Sequence, residues 1–287
     1  MKKIPLLICL AVFFAFISDK KFTAEKLLAP PGTVQLIDSL YIDKCEVSNI
    51  AWREFVNYIL KVQKDPDLYI KMLPDTTVWK TQLFNNSIFI DFYFRHPDYN
   101  DFPVVGVSYE QAKAFCQWRT DRVNELLEKT PKAPYRKILY RLPTKKEWEF
   151  AATGKLELEK FPFGYENTEF KSHGKVYNTF NCLYERVDST INLRETVLPV
   201  LSSKANKYGI YNMIGNVSEM VAEKGISKGG HFNLYIDDCK ILKDRKYYFP
   251  ECWLGFRCVC EIVDKSPPPE KKSNKKHKGS EKISAKE

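Results

Sequence analysis

The stretch YRLPTKKEWEFAA, Tyr140–Ala152, carries the most structural information per residue in this chain. Thr144 followed three positions later by Glu147 predicts a reciprocal cap, and Trp148, Phe150 and Ala151 place apolar groups on the helix that starts there. A second start signal lies upstream, where Ser108 with Gln111 opens a helix bearing Ala112, Phe115, Cys116, Arg119 and Val123 at three- and four-residue steps. A third helix is expected over Ser48–Val62, with Trp52, Phe55, Val56 and Ile59 on one face behind a Ser48/Asn49 cap. Before it, TVQLIDSLYIDKCEV (33–47) alternates like short strands, and GFRCVCEIV (255–263) reads as strand near the end. Residues 64–101 show no clean period and read as packed irregular structure, and no long element is expected over 154–199.

Composition bounds the class. With 287 residues, 44% hydrophobic and 14% aromatic, the chain can bury a sizeable core. Its net charge of +9 is concentrated: residues 265–287 hold eight lysines against three glutamates, so +5 of the excess sits in one tail. That tail, 264–287, is nearly devoid of apolar residues and is expected to be disordered. It lacks the aromatics of a specific nucleic-acid surface and reads as a solvated end touching anionic surfaces nonspecifically. At the other end, Lys2 and Lys3 precede an uncharged apolar run, Ile4–Ile17, shorter than the roughly 20 residues of a membrane-spanning helix. Residues 1–24 therefore read as an export signal or an uncleaved anchor. Large Ile8 before Cys9 argues against a lipoprotein.

Seven of the eight cysteines follow the signal, and export favours at least one disulfide. None forms a CxxC pair, and histidines 96, 173, 231 and 277 are scattered, so no zinc or non-haem iron constellation is evident. There are no repeats, no GxGxxG, no P-loop and no GxSxG. Periodicity alone predicts one compact α+β domain with much irregular backbone.

Several ordered stretches resemble the formylglycine-generating enzyme family, the sulfatase-modifying-factor domain. They are EVSNIAWREFV (46–56), FPVVGVSYEQAKAFCQW (102–118), YRLPTKKEWEFAA (140–152), FPFG (161–164), NKYGIYNMIGNVSEM (206–220), KGG (228–230) and LGFRC (254–258). The resemblance covers residues 30–263 and implies a loop-rich α+β domain related to the C-type-lectin-like fold. WRTDRVNELL (118–127) is similar to the branch found in gliding-motility and type IX secretion lipoproteins of the Bacteroidetes, although this chain lacks their lipobox and is shorter than the secretion-ring members.

In active members two cysteines five positions apart, after the glycine pair, hold copper(I) and oxidise a sulfatase cysteine to formylglycine. In GGHFNLYIDDC (229–239) those positions fall on Leu234 and Cys239. A lone thiolate cannot supply the soft pair that copper(I) favours, which argues against copper. The family's oxygen-pocket tryptophan is Ser218 here, and the serine after the glycines is His231. Cys239 reads as a small buried residue, a disulfide partner or a residual nucleophile; His231 reads as a nitrogen ligand or an exposed loop histidine.

The resemblance also implies calcium at Asn212, Gly215, Val217 and Glu219, the alternative being a capped turn without metal. Asn178 or Asn181 would begin a first calcium site, whose remaining spacing departs from the family. Cys116 and Cys258 match a family disulfide, whereas a second one would need cysteines at Ala152 and Asp244. Cys45, Cys182, Cys239, Cys252 and Cys260 are left unassigned. The expected function is an exported, non-catalytic binding or scaffold protein of the cell envelope, with a protein or glycan partner. The alternative is a modifying oxidase using Cys239 with His231 or another cysteine.

Overall fold

The computed structural model describes residues 29–80, 87–130, 133–172, 175–184 and 196–265. The expected signal at 1–24 with Cys9, and the tail beyond Lys265 with His277, lie outside the described residues, as does His173. Among those described, no helix is long and apolar enough to cross a membrane.

Alternation at 33–47 produces a hairpin of β1 (Thr33–Ile37) and β2 (Leu40–Asp43), turned at Asp38 with φ 39°. The predicted first helix is α1 (Asn49–Tyr58), capped by Ser48 Oγ accepting from Ala51 N at 3.4 Å. It passes into a π-helical turn, Ile59–Gln63, stopped by left-handed Lys64 at φ 58°. Residues 64–101 are more helical than expected. They contain α2 (Pro66–Met72), α3 (Ser87–Phe92) and 3-10 turns at Thr76–Trp79 and Pro97–Tyr99. The local start signal at α2 is Asp65 capping Leu68 N ahead of Pro66, and Leu68, Tyr69 and Met72 pack half-buried against the core that holds α1.

Both reciprocal caps form as predicted. Ser108 and Gln111 close α4 (Tyr109–Glu128) at 3.2 and 2.7 Å. After β3 (Tyr135–Arg141), Thr144 and Glu147 close α5 (Lys145–Ala152) at 3.3 and 2.8 Å. On α5, Trp148 and Ala151 are buried, but Phe150 faces outward. Among the described residues, the middle of the chain adds a short antiparallel pair of β4 (Glu169–Ser172) and β5 (Lys175–Asn178). Then come β6 (Ser218–Met220), β7 (Ile226–Lys228), β8 (Arg245–Lys246), β9 (Leu254–Gly255) and β10 (Val259–Lys265). The last strand runs to Lys265, two residues into the stretch expected to be disordered.

Two four-stranded sheets result, ordered β1-β2-β10-β3 and β8-β7-β6-β9. In the first, Ile42 pairs with Val259 and Tyr41 with Cys260, so alternate residues face opposite sides. Tyr41 and Cys260 join the core with α1 and α4, where Trp52 stacks on Phe115 at 5.5 Å. Ile42 and Val259 join the core built on Trp148, Met213 and Ile214. The result is a mixed helix and sheet domain in which this sheet separates two apolar clusters.

Candidate functional site

The glycine loop lies between the second core and the second sheet. Gly229 (φ 87°) and Gly230 (φ 70°) both take left-handed backbone. A Cβ on Gly230 would fall 2.2 Å from Cys239 Sγ, so the loop can close over this sulfur only with glycine there. Cys239 ends a 3-10 turn, Ile236–Cys239, is fully buried, and its Sγ donates to Tyr235 O at 3.5 Å. Leu234 packs against the same apolar cluster. Cys182 shares this apolar cluster, and its side chain is in electrostatic contact with Cys239. That contact and burial both push the Cys182 thiol far above its ordinary range.

His231 is not an exposed loop histidine. It is 4% exposed and stacks on Trp253 with ring centres 4.9 Å apart. Its Nδ1 accepts from Asn233 N at 3.3 Å, and Nε2 is buried without a partner. Burial, then the nearby Arg245 charge, lowers its pKa to about 3, so the imidazole is neutral throughout the physiological range. Ser218 on β6 is also buried; its backbone N donates to Trp253 O at 2.8 Å, while its Oγ has no partner. Trp253, which ties these two positions together, was not anticipated from the sequence. Among the described residues, no group of three histidine, cysteine, aspartate or glutamate side chains could hold a metal ion.

The residues expected to bind calcium are engaged otherwise. Glu219 Oε2 accepts from Arg257 Nε at 2.6 Å and from Trp148 Nε1 at 2.7 Å, and its Oε1 accepts from Arg257 as well. Asn212 Nδ2 donates to Glu46 Oε2 at 3.1 Å, and Asn216 Nδ2 donates to Glu46 Oε1 at 2.8 Å. Gly215 and Val217 lie on the turn between Asn212 and Glu219, where a Cβ on Gly215 would strike Asn181 O at 2.5 Å. The Arg257 guanidinium therefore supplies a positive charge to the Glu219 carboxylate on this turn. Burial, opposed by Arg257 and reinforced by the Glu219 charge, pushes the Glu46 carboxyl up to about 7. Glu46 and Arg257 lie inside two recognisable stretches, 46–56 and 254–258, but their pairing across 166 and 38 positions with Asn212 and Glu219 leaves no local signal. At the expected first calcium site, Asn178 Oδ1 and Asn181 Oδ1 are buried without partners among the described residues.

Cys116 and Cys258 do come together, their sulfurs 3.5 Å apart as thiols. Where the second family disulfide would lie, Ala152 is buried in apolar contact. Asp244 instead takes Lys145 at 2.6 Å and Lys228 at 2.9 Å, and fully buried Lys228 also reaches Glu149 at 2.8 Å.

The sequence profile of the sulfatase-modifying factor enzyme 1-like domain matches residues 14–262. The formylglycine-generating enzyme of Mus musculus is 26% identical over 214 residues, covering 67% of this chain and 51% of that protein. Inactive C-alpha-formylglycine-generating enzyme 2 of Bos taurus is 32% identical over 125 residues, covering 43% of this chain and 34% of that protein. The chain thus spans about half the length, or less, of these curated relatives. Among solved structures, CarF aligns with a TM-score of 0.48 and 20% identity, over 78% of this chain and 87% of that one.

Proposed function

The chain belongs to the sulfatase-modifying factor enzyme 1-like domain family, and from that premise we propose that it is a non-catalytic member acting as a binding or scaffold protein of the cell envelope. One observation carries this reading: Leu234, without a lone pair, stands at the first ligand position, and Cys239 at the second is sealed beneath Gly230. Copper(I) chemistry needs two converging thiolates open to a substrate cysteine. Ser218 supplies no aromatic wall, and His231 is held against Trp253 by stacking. Export, a protein or glycan partner and a place in gliding motility or type IX secretion belong to this proposal, as does kinship with the C-type-lectin-like fold. The Cys116–Cys258 disulfide does too, since an exporting route supplies the oxidising conditions. Calcium held by oxygen donors of Asn212, Gly215, Val217 and Glu219 belongs to this proposal as well.

The test incubates the purified protein with copper(I), oxygen and a sulfatase-derived cysteine peptide, and reads the peptide by mass spectrometry. An unmodified peptide is expected; formylglycine overturns the proposal. The second reading, an oxidase using Cys239 with another cysteine, is favoured by the contact with Cys182. It requires that Cys239→Ser lower copper affinity, and unchanged affinity removes it.

A further inference from the structure

The described cysteines divide by core cluster. Cys116, Cys258 and Cys260 lie in the core of α1 and α4, Cys252 lies in the cluster of Trp79 and Tyr93, and only Cys182 and Cys239 share the core beneath the glycine loop. Cys45 stands apart among Glu46, Arg257 and Asp43.

Backbone contacts bring the Cys182 and Cys239 segments together. Leu183 bridges Tyr235 in parallel, Leu183 N donates to Leu234 O at 2.8 Å, and Ile236 N donates to Leu183 O at 2.9 Å. Cys182 therefore lies next to the strand bridge that leads into the turn ended by Cys239, and both side chains are buried in the same apolar cluster. Gly230 packs directly on Cys239 Sγ, and among the described residues Cys182 is the one other cysteine in its cluster.

We propose that Cys182 and Cys239 form a disulfide that ties the glycine loop to segment 179–184. This goes beyond the binding reading, because a cross-link at these positions concerns how the loop is held rather than what it recognises. The cross-link forms by thiol–disulfide exchange with a low-molecular-weight disulfide. The Cys182 thiolate attacks one sulfur of that disulfide and expels one thiol, and Cys239 then attacks Cys182 Sγ, loses its proton and expels the second. One external disulfide is reduced to two thiols while two protein thiols become one S–S bond. Cys182 is 8% exposed and Cys239 fully buried, so the exchange belongs to the folding chain, before the core closes over both. The two are 57 positions apart, and the bond removes a long loop's freedom from the unfolded chain.

The full chain would be denatured, reduced, refolded with oxidised and reduced glutathione, trapped with N-ethylmaleimide and mapped by mass spectrometry. A linked Cys182–Cys239 peptide is expected, with Cys45, Cys252 and Cys260 alkylated. Finding Cys182 and Cys239 alkylated, or either joined to a different cysteine, overturns the proposal. As a second readout, the oxidised protein's denaturation midpoint should fall on adding dithiothreitol. The fall should persist in Cys116→Ala and shrink in Cys182→Ser; an equal fall in Cys182→Ser also overturns it. An unlinked but inactive protein removes only the disulfide, whereas formylglycine formation removes the binding reading whatever the map shows.

Discussion

Arg257 grips Glu219 through two nitrogens at the centre of the domain, Nε to Oε2 at 2.6 Å, with neither side chain meaningfully exposed. The same guanidinium donates to Asp43 O at 3.2 Å and Tyr211 O at 2.9 Å, so one cation ties β2, the 206–220 turn and β6 to the approach to β10. Two buried carboxylates, Glu219 and Glu46, depend on this charge. Removing it leaves them uncompensated in a medium that solvates ions poorly.

Arg257→Met is therefore expected to cost about 3–5 kcal/mol of unfolding free energy, the scale for breaking a buried pair. Urea denaturation measures it. Adding Glu219→Gln should recover part of the loss, because the stranded charge is then gone.

Glu46 sets one limb of the pH dependence. Its folded pKa of about 7 lies above the ordinary carboxyl value of 4.5, so between those values the folded protein keeps a proton that the unfolded chain has released. Its stabilising contribution is full below pH 4.5 and is lost as pH rises through 7. Glu46→Gln should flatten this decline in a series of denaturation midpoints, and an unchanged slope would contradict the assignment.

His231 acts in the opposite direction. Its folded pKa of about 3 lies below the ordinary 6.5, so its contribution is present above pH 6.5 and is lost as pH falls through 3. His231→Phe keeps an aromatic ring against Trp253 but cannot titrate. The variant should lose less stability than wild type between pH 6.5 and 4, read from thermal midpoints.

Gly230→Ala tests the closure over Cys239. Its methyl would meet Sγ at 2.2 Å on backbone with φ 70°, combining steric overlap with left-handed strain. A loss of about 2 kcal/mol or more is expected. Adding Cys239→Ala should return the overlap part and leave the strain.

The lysine network predicts sensitivity away from the loop. Lys228→Met leaves Glu149 and Asp244 without their shared buried cation, though Lys145 still reaches Asp244. Destabilisation of about 1–3 kcal/mol is expected in urea denaturation, smaller than for Arg257→Met because both carboxylates keep some solvent.

Local chemistry was sufficient for what the sequence by itself determined. The caps at Ser108/Gln111 and Thr144/Glu147 involve residues three apart, so α4 and α5 could be read directly, as could the strands in 33–47 from their alternation. The ordered stretches from Glu46 to Cys258 identified the family. Tertiary structure alone decided what fills the site: Trp253 under His231, Cys182 against Cys239, Arg257 on Glu219 and Lys228 between Glu149 and Asp244. These partners come from separate segments of the chain, 16 to 79 positions apart. A buried thiol or charge takes its character from whichever group the fold brings to it, which periodicity and capping do not encode.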